Sequence, residues 1–157
     1  MLLLVFSACA GPKKATTTAD VDYMKMLRSS CFGKCPSYTV EVYRNGLVRY
    51  TGRLFVPDSG VYEKNIGAGQ AQALLSRVKE YRVDTLKDSY ELRIADLPGI
   101  NYTFKYGNKT KQVNNAHFGP LFLKSLANEV DDVIGRTDKN EAPKLGAGWK
   151  KINTAAK

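Results

Sequence analysis

A chain of 157 residues, 43% hydrophobic and 25% charged, is long enough to build one domain around a single core. Its formal net charge of +9 invites a nucleic-acid partner, but the excess divides as +2 over residues 9–28, +4 over residues 135–157 and only +3 over residues 29–134. A nucleic-acid binder clusters Lys and Arg on one face of its folded part. Here most of the excess flanks that part, which argues against nucleic acid and suits either attraction to phosphate-bearing lipid or plain solvation of the tails.

Leu2 to Phe6 lead through Ser7 and Ala8 into Cys9. An apolar run, two small residues and a cysteine are what a lipoprotein signal peptidase requires, so residues 1–8 read as a signal peptide and Cys9 as the lipidated first residue of the mature chain. No Lys or Arg precedes Cys9, as expected of a truncated start. The competing reading is a short buried strand. Ala10 to Asp20, with Gly11, Pro12, two lysines and three threonines, has no apolar period to continue one, so residues 9–28 are expected to form a flexible tether. A segment as short as Leu2 to Phe6 cannot span a bilayer, which takes about 20 apolar residues. The expectation is a soluble domain held to a membrane by a lipid anchor.

From Ser37, Tyr38, Val40 and Val42 alternate with Thr39, Glu41 and Tyr43, the period of a half-buried strand. Leu47 to Gly52 is the second strand. A two-residue Asn45-Gly46 turn would pair Val42 with Arg49; a three-residue loop with Gly46 left-handed pairs Val42 with Val48 and Val40 with Tyr50, keeping one face apolar, and is preferred. Gly60 to Ile66 is the third strand. Ala71, Leu74, Leu75 and Val78 then mark a helix over about Gln70 to Tyr81. Ile100, Tyr102, Phe104 and Tyr106 alternate into a second hairpin that turns at Gly107 and Asn108. A last helix opens at Pro120, carries Phe122, Leu123, Leu126, Val130 and Val133 on its stripe, and stops at Gly135. Residues 136–157 read as a basic polar tail with the sole tryptophan, Trp149. The expected architecture is α+β, a mainly antiparallel sheet of about five strands in the order β-β-β-α-β-β-α with two helices packed on one face, all within a single domain over residues 29–135.

Cys31 and Cys35 bracket Phe32, Gly33 and Lys34 directly before the first strand. Zinc would need about four ligands and the chain offers two thiols here and one His at 117. A thioredoxin-type motif has two intervening residues rather than three and precedes a helix. A structural disulfide fits an oxidising compartment and would contribute about 2 kcal/mol by closing a five-residue loop; two reduced cysteines remain the alternative. The run from Cys31 to Tyr38, the Asn45-Gly46 hairpin, Tyr50, Gly52, Gly60, Tyr90, Asp96, Pro98, Pro120, Leu123, Leu126 and Asp131 together resemble an uncharacterised family of Bacteroidota envelope lipoproteins with a Cys-x-Gly-x-Cys-Pro-x-Tyr motif, domain of unknown function 6438. The resemblance covers about Cys31 to Ile134. It implies a small α+β domain in a secreted, lipid-anchored setting and brings no catalytic residues. Lys13 and Lys14 after Cys9, with no acidic group before Asp20, favour a periplasm-facing position.

Three further groups are candidates for chemistry. His117 has no assignable nucleophile and reads as a turn residue. Asp84, Asp88, Glu91 and Asp96 could supply a glycosidase pair if two were held about 5 to 9.5 Å apart, but Arg82, Lys87 and Arg93 among them suggest a self-neutralised loop. Gly67 and Gly69 match no nucleotide motif and suit a turn into the helix. Tyr43 and Tyr62 are expected on the outer sheet face beside Arg49 and Glu41, where exposed tyrosines serve protein or glycan recognition. The sequence therefore points to a non-enzymatic envelope module that uses no cofactor, with an unidentified envelope protein or glycan as partner. The alternatives are thiol redox or soft-metal binding at Cys31 and Cys35, and a carboxylate-based glycan hydrolase.

Overall fold

Apolar residues at every second position of Ser37–Tyr43 (β2) and Leu47–Leu54 (β3) make a two-stranded core whose buried side chains are Tyr38, Val40, Val42, Val48 and Tyr50. The three-residue loop holds: Val42 pairs with Val48, Val40 with Tyr50, and Gly46 turns at a φ of 95°. The computed structural model describes residues 20–90, 98–114, 116–138 and 140–153. Among these, Gly60–Asn65 (β4), Ile100–Tyr106 (β5) and Lys109–Val113 (β6) are the other expected strands, and Ala68–Glu80 (α1) and Leu121–Val133 (α2) the two helices.

The sheet has seven strands rather than five, all pairs antiparallel, because the chain on either side of the expected domain also pairs. Val21–Arg28 (β1), expected within a flexible tether, lies between β5 and β2. Its alternation is hidden by a bulge between Val21 and Tyr23, which lets Val21, Met24 and Met26 all be buried although the spacing changes from odd to even. Lys150–Ile152 (β7), expected within a solvated tail, pairs with Val61–Glu63 at the other margin. Trp149 brings it there, edge-on to the Tyr50 ring at 6.4 Å, and the Leu145 amide donates to Asp58 at 2.8 Å.

Helix α2 lies over the face that carries Tyr38 and Tyr102: the Tyr102 hydroxyl donates to the Leu123 carbonyl at 2.8 Å. Ala71, Leu74, Leu75 and Val78 of α1 join Leu123, Leu126, Ala127 and Val130 of α2 in one core with Met24, Met26 and Phe104. Arg77 pairs with Glu129, and Tyr81 stacks on Phe122 at 4.3 Å, tying the helices side by side. The hairpin turn fits against the start of α1 so closely that a Cβ on Gly46 would lie 2.6 Å from the Gly67 carbonyl carbon. Among the described residues no helix is long and apolar enough to cross a membrane.

Candidate functional site

The end of the sheet where β1 runs out and β2 begins is fixed by a buried ion network. Arg28, the last residue of β1, grips Asp131 of α2 with Nη2 at 2.7 Å and Nε at 3.3 Å. The Tyr38 hydroxyl donates to Asp131 at 2.6 Å, and Arg136, just past α2, donates Nη1 to Asp131 at 3.1 Å and to the Tyr38 oxygen at 3.0 Å. The Asp131 side chain is wholly buried. Four donors fill its two oxygens, so it is spent as an acceptor and holds the fold together rather than serving as a base. Burial, with Asp131 beside it and Arg28 opposing, pushes the Tyr38 hydroxyl well above its ordinary range.

Above this network the chain from Ser29 to Pro36 forms a closed loop. The Cys31 and Cys35 sulfurs are bonded at 1.96 Å with their Cα atoms 5.6 Å apart. Its root is held where the Ser29 amide donates to the Gly99 carbonyl at 3.0 Å, the Gly99 amide to Ser29 Oγ at 2.8 Å, and Ser37 Oγ to the Arg28 carbonyl at 3.1 Å. Phe32 projects from the loop 87% exposed. Leu54, paired with Ser37, and Phe55 stand half exposed at the same sheet end. Phe55 takes a φ of 52°, a left-handed backbone that costs a side-chain-bearing residue about 1–2 kcal/mol. The turn that imposes it passes so near β3 that a Cβ on Gly52 would lie 2.1 Å from the Asp58 carbonyl oxygen.

The sheet face opposite the helices carries a row of alternating charge across five adjacent strands: Lys25, Glu41, Arg49, Glu63 and Lys150 are successive cross-strand partners. Arg49 donates Nε to Glu63 at 2.8 Å and its Nη1 lies 3.9 Å from Glu41. Tyr23 and Tyr43 flank the row, ring centroids 5.1 Å apart, with the Tyr23 hydroxyl donating to Glu41 at 2.6 Å. Arg49 lies over the Tyr43 ring and Lys105 over that of Tyr23. Partial burial, with Glu41 beside both, raises the two tyrosine pKa values. Tyr62, expected on this face, is instead the cross-strand partner of Tyr50 and sits on the helix side. It follows Tyr50 because paired residues share a face, a constraint the β4 sequence does not display.

Among the described residues, the others singled out in the sequence hold separate partners. Asp84 is held by Arg82 through two bonds of 3.1 Å. Asp88 pairs with Lys111 of β6. Glu91, Asp96 and Cys9 lie outside the described residues. His117 sits in a short 3-10 turn edge-on to Phe118, its pKa lowered by burial and by Lys124 and Arg28. Gly67 turns into α1 at a φ of 85°, its amide donating to the Asn65 side chain at 2.7 Å. No cluster of three His, Cys, Asp or Glu able to hold a metal occurs among the described residues. Sequence reasoning overlooked Arg28 and Arg136, assigned to a tether and a tail. The available signal was an arginine closing the segment in which Met24 and Met26 alternate with Tyr23 and Lys25.

Residues 22–134 match the family Domain of unknown function (DUF6438), and the chain belongs to that family. The match begins inside β1, in keeping with that strand's place within the sheet. No curated protein and no solved structure matches the chain.

Proposed function

We propose that the protein is a lipid-anchored component of a bacterial cell envelope, of the kind found in Bacteroidota, tethered through Cys9, facing the periplasm, and acting as a non-enzymatic binding module for an envelope protein or glycan. The observation that carries the binding role is the open sheet face. Tyr23 and Tyr43 lie tilted against each other there beside a row of alternating charge, while the buried stripes of both helices belong to the opposite side. Aromatic rings held rigidly beside fixed donors and acceptors recognise a ligand at small cost in conformational entropy. The leader pattern, with Lys13 and Lys14 following Cys9, supports the tethered setting.

A benzophenone side chain introduced at position 43 in the native host tests the binding role. A discrete cross-linked adduct from that position, absent when the group is placed at Lys109 on the far sheet margin, is the expected result. Adducts from neither position, or equally from both, would remove the sheet face as the recognition surface. A second reading, thiol exchange at Cys31 and Cys35, draws on one contact: the Gly33 amide points at the Cys31 sulfur at 3.2 Å, where it would also favour a thiolate. Retention of copper(I), or a cysteine reacting with iodoacetamide at acidic pH after reduction, would favour it.

A further inference from the structure

The disulfide-closed end of the sheet presents a second surface, distinct from the open face and unused by the proposed binding role. Phe32 is almost fully exposed, and Leu54 and Phe55 are more than half exposed, at 53% and 52%. Each aromatic stands on a turn that is locked in place, Phe32 by the Cys31–Cys35 bond and Phe55 by the close passage of its turn over Gly52. Lys34 and Arg53, both exposed, lie beside them in the chain, and residues 29–36 and 53–57 contain no carboxylate. We propose that this tip docks on an anionic phospholipid surface, placing Phe32, Leu54 and Phe55 at the boundary between headgroups and acyl chains with Lys34 and Arg53 on the lipid phosphates.

Charge complementarity selects this occupant. Exposed aromatics beside cations, with no acid within residues 29–36 or 53–57, match a surface that is apolar just beneath a layer of phosphate. The length of chain ahead of β1 permits it as well. β1 enters the sheet just after Asp20, whose carboxylate is held by Arg44 and Lys79 at the end opposite the tip, and its eight residues span about 26 Å. The stretch between Cys9 and Val21 reaches about 36 Å when extended, enough for an anchor at Cys9 to share one membrane with the tip.

The full chain bearing Cys9→Ser, which cannot be acylated, is mixed with vesicles of phosphatidylethanolamine and phosphatidylglycerol, and with phosphatidylcholine vesicles as the uncharged control. Binding to the anionic vesicles is expected. Phe32→Ala should weaken it about fivefold, as should loss of either Lys34 or Arg53 to Ala. Phe55→Gly, a substitution the positive φ accommodates without loss of fold, should do the same. In a Phe32→Trp variant the added emission should shift to the blue and be quenched by brominated lipid. Overturning results are no binding to the anionic vesicles, as would follow if the tip instead filled a pocket on another protein, or binding that survives all four substitutions with the added Trp still in water, which would assign it to cations elsewhere on the chain. Because this chain carries no acyl group, failure here leaves the anchored reading standing, and absence of acylation in the host leaves the tip standing.

Discussion

Asp131→Ala removes the one carboxylate between two guanidinium groups. Its side chain is 0% exposed, and those of Arg28 and Arg136 are 16% and 8% exposed, so neither arginine can recover hydration without opening the end of the sheet. Tyr38 is left with a buried hydroxyl that still accepts from Arg136 but has lost its own acceptor. Breaking a buried ionic contact by removing one partner costs about 3–5 kcal/mol, a large share of the roughly 5–15 kcal/mol that separates folded from unfolded states. For a domain of this size that lowers the melting temperature by roughly 10–15 °C, readable by circular dichroism or calorimetry. Arg28→Met combined with Asp131→Leu and Arg136→Met should be less destabilised than Asp131→Ala alone, because it leaves no buried charge unpaired. A shift of less than about 3 °C for Asp131→Ala, or a triple variant worse than the single, would show that the network is not desolvated and refute the reasoning.

Cys31→Ser with Cys35→Ser should cost about 2 kcal/mol in urea unfolding, the loop-closure entropy of a five-residue ring. Gly46→Ala should cost at least about 2 kcal/mol by the same measurement, since a φ of 95° and a contact of 2.6 Å to the Gly67 carbonyl carbon both oppose a Cβ. His117 has a folded-state pKa below its unfolded value near 6.5, so the unfolded chain binds the proton more readily. Stability attributable to His117 is therefore full above that unfolded value and falls as pH drops from it toward the folded pKa; His117→Gln should flatten this part of a stability profile measured between about pH 5 and 7.

Much of the fold was legible where a single periodicity ran without interruption. Tyr38 to Val42 and Ile100 to Tyr106 alternate cleanly, and the burial of one face sufficed to choose the Gly46 loop and hence the register. The helices were legible from Leu74, Leu75 and Val78 and from Leu123, Leu126 and Val130. β1 was not, because its bulge at the start breaks the period of two and its last residue is an arginine whose partner lies 103 positions away. β7 has three exposed residues, two of them lysines, and nothing local marks it as a strand; Trp149 packing on Tyr50 is what places it. The candidate surfaces divide in the same way. Cys31 and Cys35 announce their loop by spacing, whereas the charge row from Lys25 to Lys150 draws one residue from each of five strands and exists only once they are assembled.

The most direct test of the proposal of an anchored, disulfide-closed domain is the intact mass of the protein extracted from its host's envelope and alkylated before any reduction. A chain beginning at Cys9 with acyl groups attached and no alkylation at Cys31 or Cys35 is the result expected. An unprocessed, unacylated N-terminus would contradict the envelope assignment, and two alkylated cysteines would contradict the closed loop and turn attention to thiol chemistry.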